Sequence, residues 1–245
     1  MTEIICGINP VQEVIRAGKR RVKKIYILAN KKENSISDLL NLARKNNIKV
    51  EECQKNRLDN LSPVEKHQGV VAEVDPYQYL PVEELIEKSK AGDKPPFLVI
   101  LDQVSDPHNL GAIIRTASLC GVDGLIIPKD NAASVGATVV KSSAGATEHL
   151  SIARVTNIAR TINLLKENNI WVYGLDGEAA QDLYKHDLKG AIAIVIGAEG
   201  TGMRRLVKEE CDNLLKIPMF SKIESYNASV AGAIVMAEIM RQRLA

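Results

Sequence analysis

The feature that most restricts the fold is a change of rhythm after Pro96. Phe97-Leu98-Val99-Ile100-Leu101 is a continuous apolar run, the mark of a strand covered on both faces. Beyond it, helical stretches at 110–120, 137–142, 158–167 and 204–210 are interspersed with strand-like ones at 125–127, 151–153, 171–175, 191–196 and 214–217. Such alternation predicts a parallel sheet sandwiched by helices. The first 75 residues read as a separate, small α/β unit. Val11, Val14 and Ile15 mark one helix and Ile36, Leu39, Leu40 and Ala43 a second; 24–29, the region of Val50, and 68–74 supply strands, with a brief helix at Leu58 and Leu61. Between the two lies a polar, proline-crowded connector with a short charged helix at 83–89. The expected boundaries are therefore 1–75, 76–96 and 97–245.

Several classes of function are disfavoured at once. No run approaches the roughly 18–20 apolar residues of a membrane span, and Met1-Thr2-Glu3 lacks the layout of a signal peptide. A cytoplasmic protein with no membrane partner is expected by default. Cys6, Cys53, Cys120 and Cys211 are scattered, as are His67, His108, His149 and His186. No close ligand spacing announces a metal site, and none is expected. The net charge of +2 argues for no partner, but its distribution says more. Residues 1–75 carry 14 Lys/Arg against 10 Asp/Glu, with a dense knot at Lys19, Arg20, Arg21, Lys23 and Lys24. That knot is either a solvated loop or a grip for a phosphate backbone.

Ligands of an open parallel sheet gather outside the carboxyl ends of its strands, and three loops there stand out. The first, 102–111, has the turn Asp106-Pro107-His108-Asn109, with Asn109 as candidate N-cap of a helix that carries Arg115. Arg115 sits on an otherwise apolar helix, either on its wet face or turned into a cleft to hold a phosphate. The second is Gly197-Ala198-Glu199-Gly200-Thr201-Gly202, whose glycines permit close backbone approach to a ligand. Its GxxGxG order is not the dinucleotide GxGxxG, and Glu199 would repel a pyrophosphate. The third runs from Ile217-Pro218-Met219 to Ser225-Tyr226-Asn227-Ala228-Ser229 and opens a nearly unbroken apolar helix, 230–240. Serine and asparagine donors crowded at that helix start either cap a buried helix or hold a polar ligand. A helix apolar on more than one face is buried or shared with a partner.

Together these loops resemble the SpoU (TrmH-type) family of RNA ribose 2′-O-methyltransferases. The likeness rests on Asp102-x-x-x-Asp106-Pro107-x-Asn109-x-Gly111-x-x-x-Arg115, on Ile196-Gly197-Ala198-Glu199-Gly200-x-Gly202-Met203, and on Ile217-Pro218-Met219 through Ser225-x-Asn227-x-Ser229-Val230-Ala231. The first part is similar to the family's substrate-binding domain through Gly7-x-Asn9-Pro10-Val11 and His67-Gln68-Gly69-Val70. In layout the chain is most similar to the branch that methylates a guanosine of large-subunit ribosomal RNA. A transfer RNA methyltransferase and a non-catalytic RNA-binding or ribosome-assembly protein of the same fold are the alternatives.

The resemblance implies an α/β, SPOUT-type parallel sheet with a deep C-terminal trefoil knot, and an N-terminal RNA-binding domain like ribosomal protein L30e. It also implies a homodimer acting on ribosomal RNA with S-adenosyl-L-methionine. Asn109, Arg115, Glu199, Ser225 and Asn227 would be catalytic. Ile196, Gly197, Gly200, Ile217, Met219, Tyr226, Asn227, Ser229 and Ala231 would bind the cofactor, while Lys19, Arg20, Arg21, Lys23, Lys24 and Arg115 would contact RNA. The family usually carries glycine at the position of Ser221 and leucine at that of Tyr226. Ser225, Asn227 and Glu199 are expected to orient Arg115.

Overall fold

A computed structural model of the protein describes residues 2–29, 34–220 and 225–245. The chain begins β1 (Glu3–Cys6), α1 (Ile8–Ala17), β2 (Val22–Leu28), α2 (Asn34–Lys45), β3 (Lys49–Cys53), α3 (Lys55–Leu61), β4 (Val70–Val74) and α4 (Val82–Lys90). It continues β5 (Phe97–Asp102), α5 (Pro107–Leu119), β6 (Gly124–Pro128), α6 (Ala137–Ser142), β7 (Ser151–Val155), α7 (Ile158–Glu167) and β8 (Trp171–Leu175). The last elements are β9 (Gln181–Asp182), β10 (Ile192–Gly197), α8 (Arg205–Glu210), β11 (Asn213–Lys216) and α9 (Ala228–Leu244). The four-residue β1 and two-residue β9 are too short to display a period in the sequence.

Two compact units emerge, residues 1–78 with 134–149, and 79–133 with 150–245. In the first, a four-stranded sheet of order β1-β4-β2-β3 is antiparallel except at the β2–β3 pair. Cys6, Tyr26, Cys53, Leu58 and Val71 form one of its apolar clusters. The helix expected at 137–142 is present, but it packs on β1 and so belongs to this unit.

An ion cluster fixes that excursion. Arg20 donates from Nε and Nη2 to Glu148 at 3.1 and 2.5 Å, and from Nη1 to Glu3 at 3.0 Å, over the ring of Tyr77. The Arg20 and Glu148 side chains keep only 3% and 1% of their surface. Breaking a buried pair from one side leaves the other charge without compensation. Arg20→Met should therefore cost about 3–5 kcal/mol in urea unfolding, with a much smaller loss expected only if water replaces the guanidinium.

In the second unit a seven-stranded sheet runs β7-β6-β5-β10-β8-β11-β9, every pair parallel. Strands β5 and β10 are buried throughout except for Gly197, as a sheet covered by helices on both faces requires. The connector expected at 76–96 is largely part of this unit. Leu80 donates to the Ile152 carbonyl at 2.9 Å beside β7, and α4 buries Leu85 and Ile86 against the sheet. Two adjacent apolar residues suffice to turn a charged nine-residue helix into a covering layer. Burial pushes the Cys211 thiol up to about 12, leaving it inert near neutrality.

Candidate active site

Because β8, β10 and β11 are parallel neighbours, their carboxyl ends open on one edge. A cavity of about 380 Å³ lies there, within the span typical of small-ligand pockets. Ile196, Gly197 and Gly200 line it from β10 and the loop that follows; Ile217, Met219, Ser225, Tyr226 and Ala231 line it from the third loop and α9. Seven of the nine expected cofactor residues thus share one cavity. Asn227 and Ser229 stand beside it instead, at the start of α9. Ser221 falls outside the described residues.

The far wall was not anticipated. Leu175, Asp176, Gly177 and Glu178, at the end of β8, complete the cavity with Lys208 of α8. Strand β8 was legible, but its place between β10 and β11 depends on strand order, which periodicity does not encode. Asp176 pairs with Lys208. Burial pushes the Asp176 carboxyl up, yet the bonds from Lys208 and from the Glu178 N–H outweigh it and leave the group below the usual carboxylate range. Among the described residues, the cavity therefore presents carboxylates at 176, 178 and 199 against a single lysine that is already paired. A cationic ligand suits this lining and a pyrophosphate does not.

Local geometry explains the loop between β10 and α8. A Cβ at Gly197 would lie 2.3 Å from the carbonyl carbon of Gly202, so only glycine lets the returning chain pass there. Ala198 and Gly202 exchange backbone hydrogen bonds of 3.0 and 2.9 Å, with Gly200 and Gly202 at positive φ. Glu199 is held exposed at the tip.

Three predicted residues from three separate loops meet there. Asn109 donates to Glu199 at 3.3 Å, and Asn227 Nδ2 donates to Asn109 Oδ1 at 3.1 Å and to Glu199 at 3.2 Å. Asn227 Oδ1 accepts from the Ser229 N–H, the Ser229 hydroxyl and the Val230 N–H at 2.9, 2.6 and 3.4 Å, which makes Asn227 the N-cap of α9. Asn109 does not cap its own helix, contrary to expectation. Asp106 does, accepting from the N–H groups of His108 and Asn109, while Pro107 brings no N–H to the first helical position. The cap being supplied elsewhere, the Asn109 amide is left for Glu199 and Asn227.

Arg115 stands apart from this cluster. It is exposed on α5, and among the described residues no hydrogen bond or ion pair engages it. The expectation that Glu199 and Asn227 orient it is corrected here: their polar atoms are turned to Asn109 and to the N-terminus of α9. Ser225 lines the cavity without bonding Arg115.

In the first unit the basic knot divides. Lys19 and Arg21 are exposed, whereas Lys23 bonds Thr2 and Asp75, and Lys24 pairs with Glu51 over the Tyr26 ring. Arg20 leaves the set of RNA contacts, because its guanidinium is consumed by Glu148 and Glu3. Among the described residues, no group of three or more His, Cys, Asp or Glu side chains could hold a metal ion, and no helix is long and apolar enough to cross a membrane.

Comparison with known proteins agrees with this geometry. The profile of the SpoU rRNA Methylase family matches residues 96–237, and that of RNA 2′-O ribose methyltransferase substrate binding matches residues 4–80. The chain is 40% identical over 243 residues to the Escherichia coli K12 protein named 23S rRNA (guanosine-2′-O-)-methyltransferase RlmB, covering 99% of this chain and 100% of the relative. The protein of that name from Vibrio cholerae serotype O1 is 41% identical over 243 residues, covering 99% and 98%. Among solved structures, the SpoU methyltransferase AviRb from Streptomyces viridochromogenes, in complex with AdoMet, superposes with a TM-score of 0.83 at 23% identity, covering 99% of this chain and 91% of the other. The AdoMet-bound rRNA methyltransferase from Sinorhizobium meliloti gives 0.81 at 22%, covering 100% and 88%. With two of the loop motifs lining one cavity and the first joined to them through Asn109, a family profile spanning more than half of the sequence, and relatives alike from end to end, the chain belongs to the SpoU rRNA methylase family.

Proposed function

We propose that this protein transfers a methyl group from S-adenosylmethionine to the ribose 2′-hydroxyl of a guanosine in large-subunit ribosomal RNA. The observation that carries the reading is the Asn109–Glu199–Asn227 cluster beside an acidic-walled cavity at the carboxyl ends of β8, β10 and β11. The residues fit the methyl donor. Gly197, Ile217 and Tyr226 would hold it, with Ile196, Leu215 and Met219 as apolar wall, and the carboxylates of the lining favour its positive charge. S-adenosylmethionine supplies a methyl group already activated by its sulfonium charge.

What remains for the protein is alignment and management of the hydroxyl proton, whose pKa lies far above neutrality. A guanidinium offers N–H donors and no acceptor, which makes Arg115 a poor choice of base. It acts instead as a fork that clamps the target phosphate and stabilises the emerging alkoxide. A guanidinium exposed and unengaged among the described residues is free to take a phosphate from outside. Asn109, held by Glu199 and Asn227, positions the ribose. The proton passes to an RNA phosphate or to water.

The same reading makes the protein a homodimer with the C-terminal segment threaded as a trefoil knot. In its support, Leu119 of α5 and Val230 of α9 leave 75% and 46% of their surface exposed on helices that pack together. For the knot, β10 is inserted between β5 and β8 while β11 lies on the other side of β8. The first unit is read as an L30e-like RNA-binding domain, with Lys19, Arg21, Lys23 and Lys24 toward the phosphate backbone.

The test is a map of ribose methylation in a strain lacking the protein. One 2′-O-methylguanosine should vanish from large-subunit ribosomal RNA. A loss confined to transfer RNA would move the substrate, and an unchanged map would reject the reading.

A further inference from the structure

The cavity wall formed by residues 197–203 is secured by a carboxylate for which the chemistry above has no use. Asp102, the last residue of β5, is fully buried, at 0% exposure. Both of its oxygens are engaged by one residue. The Arg204 N–H donates to Oδ2 at 2.8 Å and the Arg204 Nε donates to Oδ1 at 2.8 Å, with Nη2 ion-paired to the same Oδ1 at 2.6 Å.

The sheet register gives this pair its meaning. Asp102 stands beside Gly197, the residue from which the loop departs, and Arg204 is the residue on which the loop ends before α8. One residue thus stands at both ends of the same loop, its backbone in the β5–β10 ladder at the outgoing end and its side chain on the returning end through charge-assisted hydrogen bonds. Between those ends the Ala198–Gly202 bridge closes the ring, and the chain at 202–203 passes over Gly197 with no room for a methyl group. A loop so constrained moves as one body, and Glu199 rides at its tip.

We propose that Asp102 and Arg204 form a positioning clasp that sets the height of the 197–203 loop, and with it the cavity wall and the place of the Glu199 carboxylate. The proposal rests on reading the cavity as the methyl-donor site. Neither residue touches the reacting atoms; both act through the loop. Charge-assisted bonds of this kind are the strong ones, and a displacement of the order of 1 Å at a reactive site is costly in rate.

Full-length wild type, Arg204→Gln and Arg204→Lys are titrated calorimetrically with S-adenosylhomocysteine and assayed for methyl transfer, with separate KM values for donor and RNA. Arg204 is 45% exposed, so its loss leaves little buried space to collapse. Arg204→Gln should weaken S-adenosylhomocysteine binding by about tenfold to hundredfold and raise the donor KM in parallel, leaving the KM for RNA in place. Arg204→Lys keeps the charge without the fork and should recover part of the affinity. If Arg204→Gln lowers Tm but binds S-adenosylhomocysteine as wild type does, the pair only stabilises the fold and the clasp is refuted. If wild type itself binds none, the reading of the cavity fails first and the clasp goes with it.

Discussion

Asn227→Ala should lower kcat for methyl transfer by about 10²–10³, one of two effects of that size expected in the second unit. The size follows from how much this amide does. Its oxygen caps α9 and its nitrogen ties together Asn109 and Glu199, which come from two other loops. Alanine removes both functions, and the lost cap alone costs about 1 kcal/mol of stability. Two further substitutions separate them. Asn227→Ser keeps a capping oxygen but cannot bridge, so stability should return while turnover stays low. Asn227→Asp keeps the cap and sets a second carboxylate facing Glu199 across a gap now spanned by a 3.2 Å hydrogen bond. Like charges at that distance repel, so turnover should be no better than in the alanine variant. Near-normal turnover in Asn227→Ser would reduce the cluster to a helix cap.

Arg115→Ala is the second large effect, about 10²–10³ in kcat, with S-adenosylhomocysteine binding unchanged because Arg115 does not line the cavity. The split between turnover and binding follows from the exposed, unengaged state of the guanidinium. Arg115→Lys preserves the charge but replaces a planar two-point donor by a point charge, and it should stay well below wild type. Turnover close to wild type in the lysine variant would rule out the fork-shaped clamp. A binding loss equal to the rate loss would instead place Arg115 at the donor.

Much of this site was legible before the fold was known, for a physical reason. Asn109, Glu199 and Asn227 are polar residues in turns directly after apolar strands or before apolar helices, and a parallel sheet brings all such turns to one edge. Residue type and position in the turn were therefore enough to gather them. What stayed illegible depends on neighbours remote in sequence. The wall at 175–178 follows from β8 lying between β10 and β11, and the clasp between Asp102 and Arg204 joins residues 102 positions apart. The burial of Arg20 hinges on Glu148, which a local charge count cannot see. The helix 137–142 is present where the strand–helix alternation puts it, yet its membership of the first unit turns on its packing against β1. Asn109 and Asp106 are both good capping residues, and Pro107 decides between them in favour of Asp106.

The most direct measurement of the central claim is methyl transfer in a defined mixture. The purified protein, S-adenosylmethionine carrying a labelled methyl group, and large-subunit ribosomal RNA lacking its modifications are incubated, and the RNA is digested to nucleosides. The account predicts label in 2′-O-methylguanosine, reduced to near background by Arg115→Ala. Label on a base, or no label although S-adenosylhomocysteine binds, would contradict it.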